Sequence, residues 1–370
     1  MRTDAKLAIV QLIHVAAWSS YYTLTREVYS GDPGYLLLLA AAETMPTLAG
    51  LVGGVLAERY GYRLVFLLGL AEGIGLASAG LFLYNEKLLL ASVAVASLSW
   101  SISGPQIYAY TLTYSGQSGE SLGVVTAGST LGWTLGSLAP IVALETGPRT
   151  ILVAAGASTA IAYLSILSLE GPSKPVARRR HYSGRGAVLP ILVLAALSYT
   201  GVEIIGSIYM GKLSREAGVH LYSLANMASG LISALVRPLA GRIVDARGPS
   251  SILAVALAAY TLYLTCLDVA RGPLMALAWV IPLYPFFELS LYKLSSAILG
   301  EALGVAAVSA SYGITGSILA FSGLAGLGEK SLFYIALASF LSASIMALAV
   351  GGWREGGTGG TGWRETSNEA

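Results

Sequence analysis

Charge is scarce in this sequence. Asp, Glu, Lys and Arg make up 11% of its 370 residues, where a soluble domain carries about 25%. A large water-soluble core would need a polar shell that this composition does not supply. Cysteine occurs once, at Cys266, which excludes an intrachain disulfide and a cysteine-cluster metal site. The three histidines, His14, His181 and His220, are scattered, so no zinc-binding pair shares a helix turn. There is no phosphate-binding glycine loop and no nucleophile elbow. Nothing points to an enzyme, to a nucleotide-driven pump, or to a metal or other cofactor. A formal net charge of +2 leaves no footprint for nucleic acid.

What is abundant is apolar: 55% of the residues are hydrophobic. Stretches of about 20 apolar residues recur along the whole chain, the length that crosses about 30 Å of hydrocarbon. The first stretch is not a secretory signal, because no cleavage site leads into a soluble body. The pattern predicts an all-α polytopic membrane protein with twelve helices. They cover 6–27, 34–57, 62–84, 87–113, 119–145 and 148–169, then 188–211, 218–240, 250–270, 273–297, 300–326 and 330–352. Turn chemistry marks the breaks, as in Gly31-Asp32-Pro33-Gly34 and Arg271-Gly272-Pro273. Four segments follow: a six-helix bundle at 1–170, a basic linker at 171–187, a second bundle at 188–352, and a disordered tail at 353–370.

The basic residues orient the chain. With both termini inside, fifteen Lys and Arg face the cytoplasm and seven face the other side. Arg178, Arg179 and Arg180 in the linker then meet anionic lipid headgroups. The expected location is the cytoplasmic membrane, as a multi-pass monomer among lipids.

Two landmarks repeat. Gly54, Glu58 and Gly61 recur as Gly241, Asp245 and Gly248, each shifted by 187 residues. Gly119-Glu120 recurs as Gly300-Glu301, a shift of 181. Each half holds an even number of spans, so the halves share a topology and are related by an axis along the membrane normal.

The loop Gly54-Val55-Leu56-Ala57-Glu58-Arg59-Tyr60-Gly61-Tyr62-Arg63 resembles the signature of the major facilitator superfamily, Gly-x-x-x-Asp-Arg/Lys-x-Gly-Arg-Arg/Lys. Asp245, Arg247 and Gly248 resemble its degenerate second copy. Glu58 stands in place of the usual Asp, and Tyr62 in place of an Arg. The resemblance covers 6–352 and implies a secondary transporter working by alternating access. It also implies that the acid of each loop docks on the opposite half and holds the cytoplasmic gate shut. Glu58 would face the start of helix 11, and Asp245 the start of helix 5. Glu301 would repel Glu58 unless Arg59 or Arg63 sits between them.

Ionisable groups inside a membrane are costly, and so they are functional candidates. They are His14 on helix 1, Glu43 on helix 2, Glu72 on helix 3, Glu203 on helix 7 and Glu288 on helix 10. Helix 1 carries a polar face of Gln11, His14, Trp18, Tyr21 or Tyr22, and Thr25. On helix 10, Tyr284, Glu288 and Tyr292 share a face; on helix 7, Tyr199 and Glu203 do the same. Helix 8 adds Asn226. In the family, helices 1, 4, 7 and 10 line the cavity and helices 3, 6, 9 and 12 lie outside. That favours His14, Glu203 and Glu288 as cavity groups and leaves Glu72 to pair between helices 2 and 3. Arg237 and Lys293 lie near cytoplasmic helix ends, where they are expected to snorkel.

A buried carboxylate can carry a proton, which suggests proton coupling. The family's helix-4 exporter arginine is replaced here by Trp100, four residues before Gly104. Gly128, Gly132 and Gly136 resemble the glycine-rich helix 5 of the family's antiporters, with Trp133 where that motif has Pro. Close packing alone also explains those glycines. Trp18, Trp100 and Trp133 with the tyrosines form an aromatic set suited to a small organic solute. Export or exchange is the expected direction. Uptake of a sugar or carboxylate, or a non-transporting receptor, are the alternatives.

Overall fold

The computed structural model describes residues 3–29, 39, 42–136, 138–169, 187–205, 209–324 and 327–356. The linker at 171–187, apart from Ala187, lies outside these residues, as does the tail beyond Gly356. All regular structure among the described residues is helical. In the first half, α1 spans Thr3–Val28; a 3-10 turn at Met45–Ala49 leads into α2, Gly50–Tyr60. Then follow α3 (Tyr62–Leu81), α4 (Glu86–Tyr114), α5 (Gly119–Gly136), α6 (Ala139–Thr146) and α7 (Pro148–Leu167). The second half has α8 (Val188–Ile204), α9 (Met210–Arg247), α10 (Pro249–Val269) and α11 (Gly272–Trp279). It closes with α12 (Tyr284–Leu299), α13 (Glu301–Leu324) and α14 (Glu329–Gly356). Eight segments of the described chain are long and apolar enough to cross a membrane. The protein is a polytopic membrane protein.

Three expected spans are interrupted, each for a local reason. Helix 2 enters through a 3-10 turn with Pro46 in its first turn. Pro has no N–H to give and a φ already suited to a helix start. The span at 119–145 divides into α5 and α6, with Pro140 in the first turn of α6. The span at 273–297 divides into α11 and α12 around residues 280–283. Pro282 and Pro285 remove two backbone donors there. In the other direction, α9 runs from Met210 to Arg247, well beyond the expected 218–240.

Tight turns join consecutive helices. Gly61, Gly147, Gly248 and Gly300 have φ of 91°, 81°, 85° and 89°, and each directly precedes a helix. A side chain is strained in that region, so glycine is the residue that fits. Where a polar start is available the chain uses it instead: the Asn85 side chain accepts from the Leu88 N–H and caps α4.

Close helix contact comes from small residues. On α3, Gly69 lies under the Tyr163 ring of α7, and Gly73 lies against the Gly156 carbonyl. On α5, Gly128, Gly132 and Gly136 lie against the Ala8, Leu12 and Ala16 carbonyls of α1. The helix-5 glycines are thus used for packing onto α1.

Candidate functional site

Each signature helix presses on a helix of the other half. A Cβ at Gly54 of α2 would lie 2.7 Å from Ala306 Cβ and 2.9 Å from the Ala302 carbonyl oxygen of α13. A Cβ at Gly241 of α9 would lie 2.0 Å from the Gly119 carbonyl oxygen of α5. The Asp245 carboxylate accepts from the Gly119 N–H at 3.0 and 2.9 Å, and it pairs with Lys293 of α12. Arg242 donates to Glu120 at 2.5 Å. At this end the two halves are packed together.

Glu58 is half-buried on the last turn of α2, while Arg59, Arg63 and Arg247 are exposed. The buried Glu301 accepts from the Gln117 amide at 2.7 Å, so a neutral donor stands beside it. Tyr62, in the place of the signature arginine, is buried, bonded to the Thr113 hydroxyl at 2.7 Å and edge-on to Tyr110. It works as a packing residue, which a guanidinium could not do at this depth without a counter-charge.

Away from the signature end lies a cavity of about 630 Å³. Helix α1 contributes Gln11, His14, Trp18 and Tyr22; α4 contributes Trp100 and Tyr108; α5 contributes Ser129 and Trp133. From the second half come Tyr199 and Glu203 of α8, Ser233 and Arg237 of α9, Tyr284, Glu288 and Tyr292 of α12, and Ser309 and Tyr312 of α13. Glu43 and Thr44 close it near the start of helix 2. The lining therefore draws on helices 2, 5, 8 and 11 as well as on 1, 4, 7 and 10. Asn226 lies on α9, but its side chain is outside the described residues. The choice between Tyr21 and Tyr22 is resolved: Tyr22 faces the cavity, and the buried Tyr21 donates to Glu43 at 2.9 Å. Tyr84 and Tyr334 are exposed, away from this lining.

Two polar clusters flank the cavity. In the second half, Arg237 is 3% exposed and paired with Glu288, which also accepts from Tyr284 at 3.2 Å. The guanidinium stands 5.4 Å from the Tyr284 ring centroid. Arg237 was expected to snorkel and does not, because Glu288 and the Tyr284 face neutralise its charge inside the bundle. Its Nε and the Ser309 hydroxyl are buried without a hydrogen-bond partner. Both belong to residues that line the cavity. Lys293 is held by the Asp245 carboxylate at the signature end. Glu203 accepts from Tyr312 at 3.0 Å, and the Tyr312 ring is edge-on to Tyr199. Tyr108 and Tyr292 meet across the two halves with ring centroids 5.3 Å apart.

In the first half, Glu72 is fully buried. It was expected to pair between helices 2 and 3. Instead it is bonded to His14 and accepts from Trp18 of α1, both at 2.5 Å, and accepts from Tyr163 of α7 at 2.7 Å. Small residues cause this: Gly69 and Gly73 bring α7 onto α3, and the buried carboxylate takes the donors within reach.

No protein-family model and no curated protein sequence matches this chain. Solved structures do. The transporter FucP in its outward conformation is 14% identical, with 95% of this chain and 99% of that one covered and a TM-score of 0.72. A bacterial homologue of the iron transporter ferroportin in its outward-facing state is 15% identical, covering 95% and 100%, at 0.68. The E. coli fucose:proton symporter FucP in a second crystal structure is 13% identical, covering 94% and 98%, at 0.71. With its signature loop and its helical architecture, the chain has the fold of the major facilitator superfamily of transporters.

Proposed function

We propose that this protein is a secondary transporter that moves a small organic solute across the cytoplasmic membrane by alternating access. One observation carries the reading: a cavity of about 630 Å³, lined from both halves of the chain, beside an end where those halves are packed together. Read with the positive-inside asymmetry, the packed end is cytoplasmic and the conformation is outward-facing, with both termini inside. The twelve spans form two six-helix halves related by a parallel pseudo-twofold axis, and Glu58 and Asp245 belong to the gate between them. The cavity suits a solute with an apolar ring or stem and at least one polar group. Nine aromatic side chains supply surface, and Arg237 Nε supplies an unused donor. Transport is coupled to protons.

The test is flux into proteoliposomes for a panel of sugars, nucleosides, amines and carboxylates, with and without a pH gradient. Saturable, gradient-driven accumulation supports the reading. Binding without flux would make the chain a receptor, and flux indifferent to the gradient would remove the coupling. The likeness to a fucose:proton symporter favours uptake as the second reading of direction, against export from the helix-5 resemblance. The sign of the gradient that drives accumulation decides between them.

A further inference from the structure

Glu72 sits on α3, which contributes nothing to the cavity wall, yet it is wired to that wall. His14, whose Nε2 lies 2.5 Å from Glu72 Oε1, lines the cavity and is itself 1% exposed. Trp18, the second donor to Oε1, lines it too. The other histidine nitrogen lies 3.2 Å from Gln11 Oε1. Facing the pair are therefore Gln11 and Trp18 from α1, Tyr163 from α7 and, through the Tyr163 hydroxyl, Ser103 from α4 at 2.8 Å. Tyr163 is the one further titratable group among these.

Two lone pairs do not approach to 2.5 Å, so a proton lies between His14 and Glu72. The pair then has two charge states: net −1 with one proton, and net zero with two. Both find complete hydrogen bonding here. When Glu72 is ionised, Ser103 donates to Tyr163 and Tyr163 donates to Glu72. When Glu72 holds the proton it can donate to Tyr163, which donates to Ser103. Ser103 then donates to the Ser99 carbonyl, 2.7 Å away. The Gln11 amide can likewise accept from, or by turning over donate to, the far nitrogen of His14. A group bonded in this way keeps its hydrogen bonds before and after gaining a proton, so the exchange strands no buried donor or acceptor.

We propose that the His14–Glu72 pair is the proton-binding site of this transporter, with His14 as its entry from the cavity. Its coupling role rests on the transporter reading above, but the pair's protonation does not. One proton from cavity water adds to the pair on loading and leaves by the same path.

The experiment is proton uptake by the purified full chain in nanodiscs. An indicator dye follows it in weakly buffered solution as pH is stepped from about 8 to 5. Wild type takes up one proton per chain more than Glu72→Gln. His14→Gln falls short as well, because the pair that shares the proton is gone. Should Glu72→Gln fail to give a monodisperse chain, His14→Gln alone carries the comparison. Uptake equal to wild type in either folded variant overturns the proposal. An uptake difference with no flux of any solute overturns the transporter reading and leaves the proton site standing. Coupled flux with no uptake difference overturns the site alone.

Discussion

Asp245 crosses from α9 to the first residue of α5, where both its carboxylate oxygens accept from the Gly119 N–H at 3.0 and 2.9 Å. A helix start carries unpaired N–H groups and partial positive charge, so a carboxylate is stabilised there. Lys293 holds the same carboxylate from α12. One acid thus ties α5 of the first half to two helices of the second.

Asp245→Asn should loosen this end. The amide still offers an oxygen to Gly119 but loses the charge that Lys293 pairs with. The side chain is 34% exposed, so the loss is about 1 kcal/mol, or roughly a five-fold shift toward the inward-open state. A cysteine replacing Ser233 in the cavity wall, with Cys266→Ser, reports it. Its labelling rate by an impermeant thiol reagent in inverted vesicles should rise, and an unchanged rate would remove Asp245 from the gate.

Two glycines of the same signature copy should behave differently. Gly241→Ala puts a methyl 2.0 Å from the Gly119 carbonyl oxygen, against backbone that cannot turn aside. The halves must separate there, so labelling of the Ser233→Cys probe should rise more than in Asp245→Asn. Gly248→Ala meets nothing within 4 Å but sits at φ 85°. It should cost about 1 kcal/mol of thermal stability with labelling unchanged.

The Arg237–Glu288 pair is buried, so removing one partner strands a charge. Arg237→Met or Glu288→Leu alone should cost about 3–5 kcal/mol, and the double variant should recover most of it. Thermal unfolding in detergent reads the cycle. Transport should not recover in the double variant, because the guanidinium of the cavity wall is gone.

Aromatic rings of the cavity and of the core should separate binding from stability. Trp133 is 48% exposed, in the cavity. Trp133→Ala should change unfolding by less than about 1 kcal/mol while raising the KM of the transported solute. Phe340 is fully buried, stacked on Tyr260 and pressed onto Gly201. Phe340→Ala should cost about 3–5 kcal/mol with KM unchanged. The reverse pattern would place the solute elsewhere.

What the sequence determined by itself was the solvent and the all-helical fold class. Scarce charge and recurring apolar stretches leave a membrane as the only medium for such helices. The spacing of Gly54, Glu58 and Gly61, repeated at Gly241, Asp245 and Gly248, carried the fold resemblance. Helical periodicity was enough to put Tyr199 with Glu203, and Tyr284 with Glu288, on single faces, because side chains four apart share a face in any α-helix.

Only the tertiary structure decided partners. Nothing near Glu72 in sequence indicates that His14, 58 residues away, and Tyr163, 91 residues away, would reach it. That depends on how closely Gly69 and Gly73 let α7 approach α3. Arg237 looked like a snorkelling residue because its position near a helix end is visible in the sequence, whereas Glu288, 51 residues on, is not visible as its counter-charge. A single helix has a legible face, but the depth of a charge and the group that neutralises it are properties of the packed bundle. In hydrocarbon, where an unpaired ion is so costly, those properties decide which residues hold protons and which meet the solute.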